Sequence, residues 1–308
     1  MSQRNIIEKF IGIVDAFQQR HPWLAFPYGI IKKYGDDQGG YQAALITYYG
    51  FISLFPLLIV AMSTIQLVAQ NNLHLRQFFL TNVTSYFPVI GSSLTQSINT
   101  PSRSGVALVI GLLVTLYGTR GLASVIQQAQ DHIWAVPRNK RAGFPKSLFK
   151  GFGIMLLCGI GFLLAASLTG YAVSTYHLLV LRIALGTVGF IVLFAVFWGL
   201  LTFGSSESKH PHAYAPGALF AAIGLVILQA IGGYLVGHQL RSQTGLSAQF
   251  AIVLALLFWL YLQAQVLVYA IELNTVRKYR LWPRSIDIKA PLAADETAHN
   301  LYRLRETF

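Results

Sequence analysis

LLVLRIALGTVGFIVLFAVFWGLLTF, residues 178–203, carries one charge, Arg182, in an otherwise apolar run. At 1.5 Å per residue a helix of this length reaches about 39 Å, more than the ~30 Å of a bilayer's hydrocarbon core. The run is far too long for a strand, and it lacks the polar/apolar alternation of a membrane barrel. Five further stretches meet the same length test, at about 43–69, 105–126, 148–173, 213–236 and 248–273. The expected fold is all-α: a polytopic membrane protein with six transmembrane helices in a bundle.

Composition agrees with that solvent. A soluble domain is about one-quarter charged, whereas this chain of 308 residues is 11% charged and 54% hydrophobic, with a mean hydropathy of +0.53. The single cysteine, Cys158, lies in an apolar stretch, so no disulfide framework or thiolate metal site is expected within one chain. The N-terminus is no secretory signal, because Glu8 and Asp15 interrupt the apolar core one would need. Ile6, Ile7, Phe10, Ile13, Val14 and Phe17 instead recur at helical spacing, with Arg4, Lys9 and Arg20 around them. Such an amphipathic helix either lies on the membrane surface or packs on other parts of the protein.

Lysine and arginine set the orientation. With the N-terminus inside, the cytosolic segments collect Arg4, Lys9, Arg20, Lys32, Lys33, Arg138, Lys140, Arg141, Lys146, Lys150, Lys209 and seven basic residues after Asn274, whereas the outer segments hold only Arg76, Arg103, Arg182 and Arg241. Both termini are therefore expected in the cytosol. The chain divides into a cytosolic N-terminal segment, 1–42, a transmembrane domain, 43–275, and a basic tail, 276–308. The outer loop 70–104 contains LRQFFLTNVTSYFPVIG, amphipathic enough for short interfacial helices. The net charge of +12 is accounted for by topology and by anionic lipid headgroups at the cytosolic face, so nucleic acid is not an expected partner. Small residues, among them Gly151, Gly159, Gly217, Ala221 and Gly224, allow close helix approach. They serve packing inside one bundle or a homo-oligomer equally well. Pro56 is expected to kink the first span, and Pro216 fits the first turn of the fifth.

Arg120 stands out. Counted from Gly105 it lies roughly 22 Å inward, in the inner third of the core. Two readings stay open: a guanidinium that extends its stem to the cytosolic surface, or one member of a cytosol-facing polar cavity. The second draws on Thr47, Tyr48 and Tyr49 of the first span, Lys150 of the third, and the stripe Tyr261, Gln265, Val268 or Tyr269, and Glu272 of the sixth, with Asn274 beyond it. Arg120 and Glu272 would then pair, or leave the guanidinium open to an anionic group.

The stretches KKYGDDQGGYQAALITYYGFISLFPLLIV, FPVIG, LYGTRGLASVIQQAQDHIWAVPR, PGALFAA and FWLYLQAQVLVYAIELN, in this order, resemble the YihY/virulence factor BrkB family of bacterial inner-membrane proteins, over roughly residues 30–280. The resemblance implies six helices in the cytoplasmic membrane with both termini in the cytosol. Its family-like positions here are Ala44, Tyr48, Ser53, Pro56, Tyr117, Gly121, Trp134, Pro216, Gly217, Trp259, Glu272 and Asn274, and Tyr117 thereby joins the candidate substrate-binding residues. Ser247-Ala248-Gln249-Phe250 departs from the Tyr-Gly pair expected before the sixth span. Members have been labelled ribonuclease, virulence factor or transporter, which defines no reaction.

A nuclease needs clustered carboxylates or histidines to hold metal. Asp36, Asp37, Asp131 and His132 show no such spacing, and the pair His210 and His212 has only Glu207 nearby. Asp36 and Asp37 read as helix-start residues and Asp131 as solvated. No phosphate-binding loop is present. No catalytic residue, metal or cofactor is therefore expected, and the chain is expected not to be an enzyme. The leading expectation is a transporter, permease or flippase for an amphipathic or anionic, lipid-like solute. The alternative is a non-transporting envelope scaffold, and a membrane-bound nuclease comes last.

Overall fold

The computed structural model describes residues 12–68, 120–174, 179–207, 210–239, 246–286 and 290–306. Among them there are helices and no strands: α1 (residues 12–20), α2 (Pro22–Asp36), α3 (Gly39–Val68), α4 (residues 120–133), α5 (Lys146–Ser174), α6 (Leu179–Gly204), α7 (Ala215–Gln239), α8 (Leu246–Tyr279) and α9 (Ala293–Glu306). Four helical stretches, Lys146–Ala165, Leu179–Gly204, Ala215–Gly232 and Val253–Tyr279, are long and apolar enough to cross a membrane. They coincide with the third to sixth expected spans. The expected first span is covered by α3, which runs unbroken through Pro56; the side chain of Pro56, and with it the expected kink, lies outside the described residues. Of the expected second span, 105–126, only residues 120–126, in α4, are described. The loop 70–104 and Tyr117 lie outside the described residues.

The spanning helices turn their large side chains outward. In α7 the inward positions are Ala218, Ala221 and Ala222, all fully buried, while Leu219, Phe220, Ile223, Val226 and Ile227 are exposed. In α5 Phe149, Phe152, Leu156, Ile160 and Leu163 form an exposed stripe at three- to four-residue spacing. In water so large an apolar surface would be an aggregation liability, whereas in hydrocarbon it costs nothing. Small residues inside let the backbones approach closely, as helix packing in lipid favours. Gly217 is the clearest case, because a Cβ there would overlap the Ala270 carbonyl oxygen and the Asn274 amide.

α8 is the hub of the bundle, packed on α2, α3 and α7, while α5 and α6 pack on each other. Two helices end alike at the same side of the molecule. After α4, Ala135 takes φ 53° and the Val136 N–H donates to the Asp131 carbonyl at 2.9 Å. After α8, Arg280 takes φ 52° and the Leu281 N–H donates to the Val276 carbonyl at 3.0 Å. Each is a left-handed helix stop that satisfies an orphan carbonyl and buries the next apolar residue: Val136 is 1% exposed and Leu281 0%. Trp134 fills the space between these ends, against Tyr214 and Tyr279.

At that same side α1, α2, residues 281–286 and α9 form a polar layer. Asp15 and Gln18 of α1 are buried: Asp15 accepts from the Ile286 N–H at 3.0 Å, and Gln18 donates to the Arg284 carbonyl at 2.6 Å. Ile13, Val14 and Phe17 of α1 remain exposed. The described part of this helix thus packs its polar edge on the protein and leaves these three apolar side chains uncovered.

Candidate functional site

The most deeply buried charges of the described residues converge where α2, α4, α8 and α9 meet. Lys33, on the last turn of α2, is 1% exposed. Its ammonium donates to Asp37, to the Ile133 carbonyl at 3.0 Å and to Glu272 at 3.1 Å. Asp37 also accepts from Arg305 of α9 at 3.1 Å, and Arg305 donates to His132 Nε2 at 2.9 Å. Two cations and two carboxylates therefore balance around one neutral imidazole. Burial alone would push the Lys33 ammonium down, but Glu272 and Asp37 beside it hold it above its usual value, so it stays charged. Burial and the Arg305 guanidinium push His132 below its ordinary value.

Several expectations are corrected here. Glu272 does not meet Arg120; it is fully buried on Lys33. Asp36 and Asp37 close α2 instead of opening a helix, with Asp37 1% exposed. Asp131 is not solvated: it is buried and accepts from the Ser206 N–H at 2.7 Å and the Ser206 hydroxyl at 2.9 Å, fixing the end of α6.

Arg120 is an exposed side chain of α4, with no ion pair among the described residues. It lines a pocket of about 220 Å³ between α4 and α5, together with Ser124, Gln127, Ser147, Phe144 and Phe152. Gln127 and Ser147 bond each other across it at 3.2 Å. The α4 flank is thus polar and cationic, while the other carries Phe144, Leu148, Phe152 and Met155 around Ser147.

The other expected residues are dispersed. Thr47 donates to the Ala43 carbonyl of its own helix at 2.7 Å. Tyr48 is exposed, edge-on to Tyr49. Gln265 accepts from Tyr34 at 2.5 Å. Lys150 donates to the Ser205 carbonyl at 3.1 Å and does not line the pocket. Asn274 accepts from the Gly217 N–H at 2.7 Å and donates to the Tyr214 carbonyl at 3.1 Å, capping α7 from α8. Of Arg120, Gln265, Glu272 and Asn274, only Arg120 lines the pocket between α4 and α5. Among the described residues no three His, Cys, Asp or Glu side chains come together as a metal-ligand set.

Sequence reasoning missed Lys33, Asp37, His132 and Arg305 as a unit. Lys33 and Asp37 carried one signal, their i,i+4 spacing. Arg305 carried none, because its partners are 268 and 173 positions away.

Long apolar helices with large apolar side chains outside and small ones inside define a multi-pass helical membrane protein. The chain belongs to the Virulence factor BrkB family, whose profile matches residues 30–291, and it is a protein of the bacterial inner membrane. It is similar to Inner membrane protein YhjD of Escherichia coli (strain K12), 24% identical over 294 residues that cover 86% of this chain and 85% of YhjD. A UPF0761 membrane protein of Psychrobacter sp. (strain PRwf-1) is 23% identical, over 82% of this chain and 48% of its own length, so the chain spans about half of that relative. The ribonuclease-like protein YfkH of Bacillus subtilis (strain 168) is 21% identical, over 82% of this chain and 95% of YfkH. No solved structure matches the chain.

Proposed function

We propose that the protein moves an anionic amphipathic solute, lipid-like in build, across the inner membrane, and that the Arg120 pocket engages the solute's anionic group from the cytosolic side. The observation that carries this is the pairing of Arg120, exposed and without an ion partner among the described residues, with an aromatic wall at Phe144 and Phe152. A guanidinium offers a planar fork of donors suited to phosphate or carboxylate. At about 220 Å³ the pocket is smaller than the roughly 300–1,000 Å³ of a drug-sized site. It suits a headgroup whose chains stay in the bilayer. The test is reconstitution in vesicles with a fluorescent anionic phospholipid, with bilayer crossing followed by quenching from outside.

A second reading, a non-transporting membrane scaffold, draws support from the buried cluster. Lys33 pairs with Asp37 and Glu272, and Asp37 with Arg305, which ties α2, α8 and α9 together as a structural clamp would, while Glu272 Oε1 is left without a partner among the described residues. Fixed stoichiometric co-purification with one envelope partner, and no solute movement, would favour it. Neither reading assigns catalysis to the chain, and the ribonuclease-like name belongs to YfkH.

A further inference from the structure

A second surface feature lies away from the Arg120 pocket. A groove of about 440 Å³ runs between α6 and α7, lined by Phe190, Ile191 and Phe194 on one side, Pro216 and Leu219 on the other, with Arg277 of α8 at its edge. Both flanking helices are apolar enough to cross the membrane, so the groove opens onto hydrocarbon. Its depth can be read from its ends. Pro216 is in the first turn of α7, and Arg277 is in the last turn of α8, so the cationic edge sits at a membrane boundary. Trp198 marks the same level: it stacks on Phe194, and its indole N–H donates to the Pro211 carbonyl at 2.8 Å. A ring with an apolar body and a satisfied polar tip is characteristic of the headgroup boundary.

Arg277 is exposed and makes no ion pair among the described residues. The N-terminus of α7 beside it adds positive partial charge. A cation at headgroup height above an apolar trough is complementary to a phosphate joined to an acyl chain.

We infer that this groove holds one resident anionic phospholipid, its phosphate on Arg277 and one acyl chain along Phe190, Phe194 and Leu219. The inference depends on membrane placement and not on the transport reading, so it survives if transport fails.

The test is native mass spectrometry of the purified full chain, offered equal phosphatidylglycerol and phosphatidylcholine of identical acyl chains. The wild-type chain retains one phosphatidylglycerol in preference to phosphatidylcholine. Arg277→Gln lowers phosphatidylglycerol retention about tenfold, the worth of one charge-assisted contact, and removes the preference. Leu219→Trp, which fills the trough, lowers retention of both lipids. Lys278→Gln, the same charge change one residue on, leaves the preference intact. Equal retention of the two lipids by the wild-type chain, unchanged retention in Arg277→Gln, or an equal loss in Lys278→Gln would each overturn the site.

Discussion

Lys33 and Glu272, 239 positions apart in the chain, meet at 3.1 Å with almost no exposure to solvent. Two charges withdrawn from water are costly, and only their mutual attraction and further hydrogen bonds offset that cost. Removing one partner therefore strands the other. Lys33→Met or Glu272→Gln alone is expected to cost about 3–5 kcal/mol. The double substitution should cost clearly less than the sum, since Asp37 keeps Arg305. Unfolding of the purified protein in detergent measures the cycle, and strict additivity would show that the two side chains do not interact.

Acid should loosen α9. His132 accepts from Arg305 only while neutral, and its folded-state value lies below its ordinary one because of burial and Arg305. A depressed group contributes stability that is present above its unfolded value, about 6.5, and lost as pH falls through the folded value. Hydrogen exchange of α9 amides should therefore accelerate as pH drops below about 6.5, after correction for intrinsic rates, and His132→Asn should flatten the response. Asp295 cannot produce that effect. Despite burial, the Ser285 and Leu292 N–H groups, Arg284 and Lys32 hold its carboxyl at about 2. Its contribution is lost only as pH falls toward that value.

The start of α7 depends on one side chain of α8. Asn274→Ala leaves the buried Gly217 N–H without its acceptor and is expected to cost about 1–3 kcal/mol. Gly217→Ala drives a methyl into the Ala270 carbonyl and should cost a similar amount, about 1–3 kcal/mol. Because both act on one contact, the pair should cost less than the sum. Thermal unfolding of the three variants checks this.

What the sequence disclosed follows from which forces act locally. The third to sixth spans were legible because a run such as residues 178–203 carries its own evidence of length and apolarity. Pro216 was legible for the same reason, a first-turn position read from neighbours. The cluster was not. Lys33 looked like one more cytosolic cation, and nothing in its own stretch shows that α2 folds back against α8 and buries it. Glu272 is legible as an ionisable group near a span, but equal depth in two spans is a criterion blind to α2, which supplies its partner Lys33. Asp131 looked solvated because its acceptor role toward Ser206 is 75 positions away.

Arg120 carries the account's central claim, and the most direct measurement is bilayer crossing of a fluorescent anionic phospholipid in vesicles holding the purified protein. Wild-type protein should accelerate crossing well above protein-free vesicles, and Arg120→Gln should reduce it at least about tenfold, the worth of one lost guanidinium contact, with unfolding behaviour unchanged. Crossing at the protein-free rate with wild-type protein, or at the wild-type rate with Arg120→Gln, would contradict it.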